Sequence, residues 1–272
     1  MKKTHFVNEL KISQSVKRGN RGKNVKKVQE WLNLQSINFQ GTTIATTIDG
    51  DFGYATELSV KNFQAAIGLP QTGIVDQPLF AKLSEPLSKS YQTTTELPTE
   101  HLRNLMVGFA NKHLSNKSRE LQYGGQSNLG PFVRAYCDGS DGNVWYWCMG
   151  FVQTILDLAM SVKNKSFTTF MPQTLSCDVV AQHAKSKGTL IKNSQIRTNP
   201  ALVKKGDIIL LKRANSEDWY HTGIVTNVTN DCFETIEGNT DVNGSNNGTG
   251  VFAKTRNFRD SIIDVVSIES IS

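Results

Sequence analysis

The apolar positions of this chain change period near residue 200: before it they recur at helical spacing, and after it they alternate. Val25, Val28, Trp31 and Leu32 predict a helix capped by Asn24. Val60, Phe63 and Ile67 predict a second, begun by Thr56 and stopped by Gly68, and Leu79 and Leu83 behind Asp76 and Pro78 predict a short third. Leu102, Leu105, Met106 and Phe109 mark another amphipathic helix. Phe151, Ile155 and Leu158, with Val152, Leu156 and Ala159 beside them, predict a buried helix that starts near Cys148. One more helix is expected over 172–187. The pattern then predicts strands over 207–212, 220–228, 232–237, 250–254 and 262–267, separated by Asn/Gly/Asp turns. Helices first and strands after predict an α+β fold with a mainly antiparallel sheet.

With 272 residues the chain is comfortable as two domains. Residues 13–87 form a small three-helix unit and 101–272 form the second domain. Ser84–Glu100 has linker composition, with Pro86, a Thr93-Thr94-Thr95 run and Pro98, and places the linker at 88–100. A hydrophobic content of 38% suits a folded globular protein, and no apolar run approaches the roughly 20 residues that span a bilayer. The basic start Met1-Lys2-Lys3 has no apolar stretch behind it. This predicts synthesis in the cytoplasm without a signal peptide, so action in the periplasm or cell wall calls for release or secretion. The net charge is +6, much of it in Lys17, Arg18, Arg21, Lys23, Lys26 and Lys27. No nucleic-acid module accompanies these residues, so nucleic acid is not expected as a partner.

Cys148 is the candidate for chemistry. A thiol in the first turn of a helix meets unpaired backbone N–H groups and the positive end of the macrodipole, both of which favour thiolate. Downstream, His221 heads a strand and is a candidate base, and Glu237 on the next strand is a candidate to orient it. Alternation sets His221, Gly223 and Val225 on one face and Thr235, Glu237 and Asn239 on another. If those strands are neighbours, the Cys148 helix is expected to cross the face they share, with Asn239 adding a polarising contact. The Cys148 N–H is the natural oxyanion donor. His183 is the rival base, at helical spacing from Val179 and Val180. Cys137, Cys177 and Cys232 lack the setting of Cys148, and pairing among them is left open.

Two resemblances extend this reading. Lys17–Gly22, Val25-Lys26-Lys27-Val28-Gln29, Ile48–Gly53, Val60–Gln64 and Leu69–Asp76 resemble the peptidoglycan-binding domain type 1 family. Trp147–Val152, Lys205–Ile209, His221–Val225 and Glu237–Thr240 resemble the CHAP family, the cysteine, histidine-dependent amidohydrolases/peptidases. The second resemblance implies a papain-like domain, helices packed on a mainly antiparallel sheet, with Cys148, His221, Glu237 and Asn239 at its catalytic positions. Tyr220 stands where the plainest pattern has glycine, which makes Trp219 and Tyr220, with Trp147, candidate substrate contacts. Some CHAP enzymes bind calcium where Asp138, Asp141 and Asn143 stand; no metal or cofactor is assigned. Together the resemblances imply a peptidoglycan hydrolase, first an N-acetylmuramoyl-L-alanine amidase and alternatively a stem-peptide or cross-link endopeptidase. It would be a phage endolysin or a secreted antibacterial effector, the latter with an immunity protein or delivery machinery as partners. A non-catalytic murein-binding structural protein is the alternative of another class.

Overall fold

The computed structural model describes residues 4–93 and 101–272; the greater part of the linker-like stretch, 94–100, lies outside the described residues. The first unit contains α1 (Phe6–Glu9), α2 (Lys23–Gln35), α3 (Tyr54–Ala66), α4 (Gln77–Leu83) and α5 (Glu85–Tyr91). The second opens with α6 (Leu102–Ser115), a hairpin of β1 (Leu121–Tyr123) and β2 (Gln126–Leu129), and α7 (Pro131–Tyr136). It continues with α8 (Cys148–Val162), α9 (Cys177–Ser186), β3 (Leu190–Ile191) and α10 (Asn193–Thr198). Strands β4 (Ile208–Lys212), β5 (Trp219–Val228), β6 (Cys232–Thr240), β7 (Gly250–Asn257) and β8 (Ile263–Val266) follow. The six-stranded sheet has the order β3-β8-β4-β5-β6-β7 with antiparallel neighbours throughout. The fold is α+β, a helical unit followed by a sheet-containing domain.

Two of the expected helix starts move. Gly22 precedes α2, and the Asn24 amide donates to Ser13 Oγ at 2.8 Å. Helix α3 starts at Tyr54, while Thr56 is buried and accepts from Gln29 Nε2 at 3.1 Å. Asp76 does cap α4, accepting the Leu79 N–H at 2.9 Å. In each half of the unit a buried glutamine staples the next Gly turn. Gln29 Oε1 accepts from the Asp49 and Gly50 N–H groups, and Gln64 Oε1 accepts from that of Gly73. Both turn glycines have positive φ, +75° and +70°. A backbone that only glycine adopts easily is thus fixed by a polar side chain from the preceding helix.

The helical unit is seated on the second domain. Ser84–Tyr91, linker by composition, is mostly the helix α5, with Leu87, Ser90 and Tyr91 buried. Its composition misled because a Pro in the first turn starts a helix as readily as it breaks one. Phe6 stacks on Tyr91 with ring centroids 4.0 Å apart, and Tyr91 meets His113 of α6 edge-on. Trp31 of α2 meets Phe132 of α7 edge-on at 5.7 Å. One continuous hydrophobic core therefore runs from Ile12 to Ile268. At its margin Arg134 of α7 bridges Glu9 (2.8 Å) and Glu30 (2.6 Å) of the first unit and Asp141 (2.7 Å) of the second.

Candidate active site

Three elements converge on Cys148: the first turn of α8, the first turn of α9 and the head of β5. Helix α8 is apolar almost all round and buried from Cys148 to Met160. Its body packs on the sheet face carrying Ile224 and Ile236, paired across β5 and β6. Gly238 permits this: a Cβ there would come within 2.6 Å of Phe151 Cβ and 2.9 Å of the Trp147 ring. By alternation, His221 and Glu237 belong to the opposite face, so the expectation that α8 crosses their face is corrected. The N-terminal end of α8 brings its thiol to His221.

His221 is fully buried and its Nε2 lies 2.9 Å from Glu237 Oε2. Cys148 and His221 lie close enough for each to shift the other's proton affinity, and His221 Nδ1 is buried without a hydrogen-bond partner among the described residues. Glu237 sits opposite Gly223 in the ladder, and a Cβ at 223 would come within 2.4 Å of Glu237 Cγ. Glycine at this position lets the carboxylate lie across the strand to the imidazole. Glu237 also accepts Arg256 Nε (2.8 Å) and Nη2 (2.5 Å) and the Thr235 hydroxyl (2.6 Å).

The electrostatics follow from these contacts. Burial pushes the Glu237 carboxyl up, but Arg256 and His221 overcome it and hold the group down at about 2. Burial pushes the His221 imidazolium down, and the Cys148 thiol and Glu237 raise it to about 9. The Cys148 thiol is held well below the usual range. The largest cause is a hydrogen bond from the Cys177 thiol; His221 and the Met149 N–H act in the same direction, and burial opposes them. Geometry and charge together favour a thiolate–imidazolium pair.

Asn239 is placed differently from its expected role. It lies one residue before the end of β6, within a register shift, with φ +56°, a left-handed backbone unusual for a residue other than glycine. With its amide turned so that both atoms find partners, it accepts the Trp147 N–H at 3.3 Å and donates to the Gly248 carbonyl at 2.9 Å. Those bonds hold the residue before Cys148, so Asn239 positions the first turn of α8 and does not polarise His221. Trp147 is no substrate wall: it is fully buried, stacked on Tyr136 and bonded through Nε1 to Glu120 at 3.0 Å. Trp219 is also buried, its Nε1 bonded to Asp264 at 3.0 Å. Each indole is buried with its N–H bonded to a carboxylate, the usual arrangement for a buried tryptophan. Tyr220 is half-buried beneath Arg213. The exposed aromatic near Cys148 in the chain is instead Tyr146, 52% exposed, with Val144 at 79%.

The rivals resolve as structural groups. His183 Nε2 contacts the Phe170 carbonyl at 3.1 Å on the flank of α9. Asp141 accepts from Arg134, Asn143 from Ser127 and Asp138 from Gln173, so these oxygens serve protein donors. No disulfide joins the cysteines among the described residues. Cys177, set aside in the sequence, lies against Cys148. Arg256 was missed as well, although alternation along β7 sets Phe252, Lys254 and Arg256 on the face of Thr235 and Glu237. The cavity of about 430 Å³ beside Trp219, lined by Lys185, Asn193, Arg197, Lys212 and Glu217, contains none of Cys148, His221 and Glu237.

Residues 21–83 match the family model described as "Putative peptidoglycan binding domain". The match takes in α2, α3 and α4, and it places a peptidoglycan-binding domain in the helical unit. The matched segment ends well before Cys148. No curated protein matches the chain.

Proposed function

We propose that the chain is a cysteine-dependent peptidoglycan hydrolase of CHAP type, whose first domain addresses murein and whose second cuts an amide bond in it. The observation that carries the reading is the buried line Cys148–His221–Glu237 at the N-terminus of α8, in a chain that begins with a peptidoglycan-binding domain. The Cys148 thiolate attacks the amide carbonyl, forming a C–S bond, and the developing oxyanion lies at the first-turn N–H groups of α8. His221 gives its proton to the leaving nitrogen as the C–N bond breaks, leaving a thioester. It then takes a proton from water, whose oxygen attacks the thioester and returns Cys148 as the leaving thiolate. Glu237, held by Arg256 and Thr235, fixes the tautomer and stabilises the imidazolium.

The N-acetylmuramoyl-L-alanine amide is the bond we assign, with stem-peptide cleavage as the competing specificity. The substrate lies outside the cytoplasm, so the enzyme acts after release or secretion, as an endolysin or an antibacterial effector does. Digestion of purified sacculi followed by mass spectrometry of the products tests the reading: released muropeptides should carry a new free L-alanine amine. Cys148→Ala should release nothing while still co-sedimenting with sacculi. Full release by this variant would refute the cysteine mechanism.

A further inference from the structure

We propose that the cleft between the start of α2 and the Gly50 turn, completed by Tyr123 of the second domain, binds the stem peptide of murein, an oligopeptide bearing both an ammonium and a carboxylate. The inference rests on the first domain binding murein and needs no hydrolysis.

The cleft begins with backbone. The Gly22 N–H donates to the Gly50 carbonyl at 2.8 Å, and a Cβ on Gly50 would stand 3.6 Å from the Gly22 carbonyl oxygen and 4.0 Å from Lys26 Cβ. Two glycines therefore let the turn lie against the helix start. Beside them opens a cleft of about 560 Å³, with Arg21, Lys23 and Lys26 contributed by the segment that opens α2 and Asp49 and Asp51 by the turn. All of these residues lie within the segment that matches the peptidoglycan-binding family.

Its charges suit a ligand of both signs. Asp49 is held rigidly, its Oδ1 accepting the Gln29 amide and the Asp51 N–H, each at 2.8 Å. Arg21 and Asp51 pair at 2.9 Å but are 78% and 43% exposed, so a ligand can exchange with that pair at little cost. Lys23 and Lys26 are exposed, and no carboxylate pairs with either among the described residues. The Lys26 ammonium lies over the Tyr123 ring, 5.2 Å from its centroid. Tyr123 belongs to β1 and is anchored by its hydroxyl, which donates to Glu30 at 2.8 Å. An ammonium resting on a ring face keeps donors for a carboxylate. One cleft thus offers cations to a carboxylate and anions to an ammonium. A neutral glycan would leave both sets unanswered.

The test is isothermal titration calorimetry of the full chain carrying Cys148→Ala. Two probes are compared: the free stem peptide, with an amine on its diamino acid and a C-terminal carboxylate, and the peptide-free disaccharide of N-acetylglucosamine and N-acetylmuramic acid. The peptide should bind about tenfold more tightly, the worth of two exposed ion pairs, and the preference should shrink with salt. Lys23→Gln and Lys26→Gln change exposed side chains, and each should weaken the peptide about two- to fivefold. Acetylating the peptide amine should weaken it to a similar extent. Tyr123→Phe and Tyr123→Leu both lose the bond to Glu30, but only phenylalanine keeps a ring under Lys26, so it should bind the peptide more tightly than leucine does. A disaccharide bound as tightly as the peptide, lysine variants that bind like the parent, an acetylated peptide bound unchanged, or leucine and phenylalanine variants alike would each overturn the proposal. The readout is binding alone, so its failure is distinct from failure of the hydrolase reading, which sacculus digestion scores.

Discussion

Replacing Arg134 with methionine isolates the contact that seats the peptidoglycan-binding unit on the domain carrying Cys148. The guanidinium makes five hydrogen bonds, two to Glu9, two to Glu30 and one to Asp141, and is itself only 17% exposed. Arg134→Met keeps much of the stem volume but leaves three carboxylates facing one another. Asp141, 22% exposed, can turn to water, whereas Glu9 and Glu30 are 8% and 1% exposed and cannot. Tyr123 still donates to Glu30 at 2.8 Å, which softens the loss without neutralising the charge. Removing one partner of a buried ion pair costs about 3–5 kcal/mol, so a similar loss is expected here. In a chain of this size that loss lowers Tm by roughly 6–20 °C. Thermal unfolding followed by circular dichroism, with limited proteolysis of residues 4–93, measures it. The parent should melt in one transition, because one core spans both units, and the variant should melt earlier with the N-terminal unit cleaved first. Adding Glu9→Gln and Glu30→Gln should recover part of the loss by removing the repulsion. A variant that melts within a degree of the parent, with unchanged proteolysis, would refute the claim that this cluster holds the units together.

Two further outcomes follow from the site. His221 holds its proton to about pH 9, above its ordinary 6.5, so its pairing stabilises the fold fully below pH 6.5 and that contribution is lost as pH rises through about 9. Glu237, held down from 4.5 to about 2, contributes above pH 4.5 and loses it as pH falls through about 2. Hydrolysis should therefore show an alkaline limb near pH 9 that moves lower in Glu237→Gln; an alkaline limb at the same pH in both proteins would sink the His221 assignment. Gly223→Ala drives a methyl into Glu237 Cγ and should cost about 1–3 kcal/mol of stability by overpacking. It should also turn the carboxylate off His221, so hydrolysis should fall further than the folded fraction measured by circular dichroism; equal falls would mean the glycine serves packing alone.

The helix that carries Cys148 was legible because its signal is local: Phe151, Ile155 and Leu158 repeat with the helix, and the first turn of any helix offers free N–H groups to the residue there. His221 and Glu237 were legible for a similar reason, since alternation along a strand assigns faces without knowledge of the rest of the fold. Periodicity could not say which face α8 would cover. That was decided by Gly238, whose lack of a Cβ lets Phe151 and Trp147 approach the sheet on the other side. The same packing buried Trp147, which the sequence offered as a surface aromatic, and left Tyr146 outside. Arg256 and Lys254 share a face with Glu237 in the alternation, and only the curvature and register of β7 chose between them. Cys177 and Cys148 are separated by a helix and a loop in the chain, so their contact exists only once α8 and α9 pack. Ser84–Tyr91 has the residues of a linker, yet Leu87 and Tyr91 find apolar partners in α1 and α6, and burial outweighs the weak local preference for loop. Sequence by itself determined most of the elements and singled out the candidate groups, through short-range sterics and periodic burial. Tertiary structure decided which of those groups meet, because that depends on contacts between residues far apart in the chain.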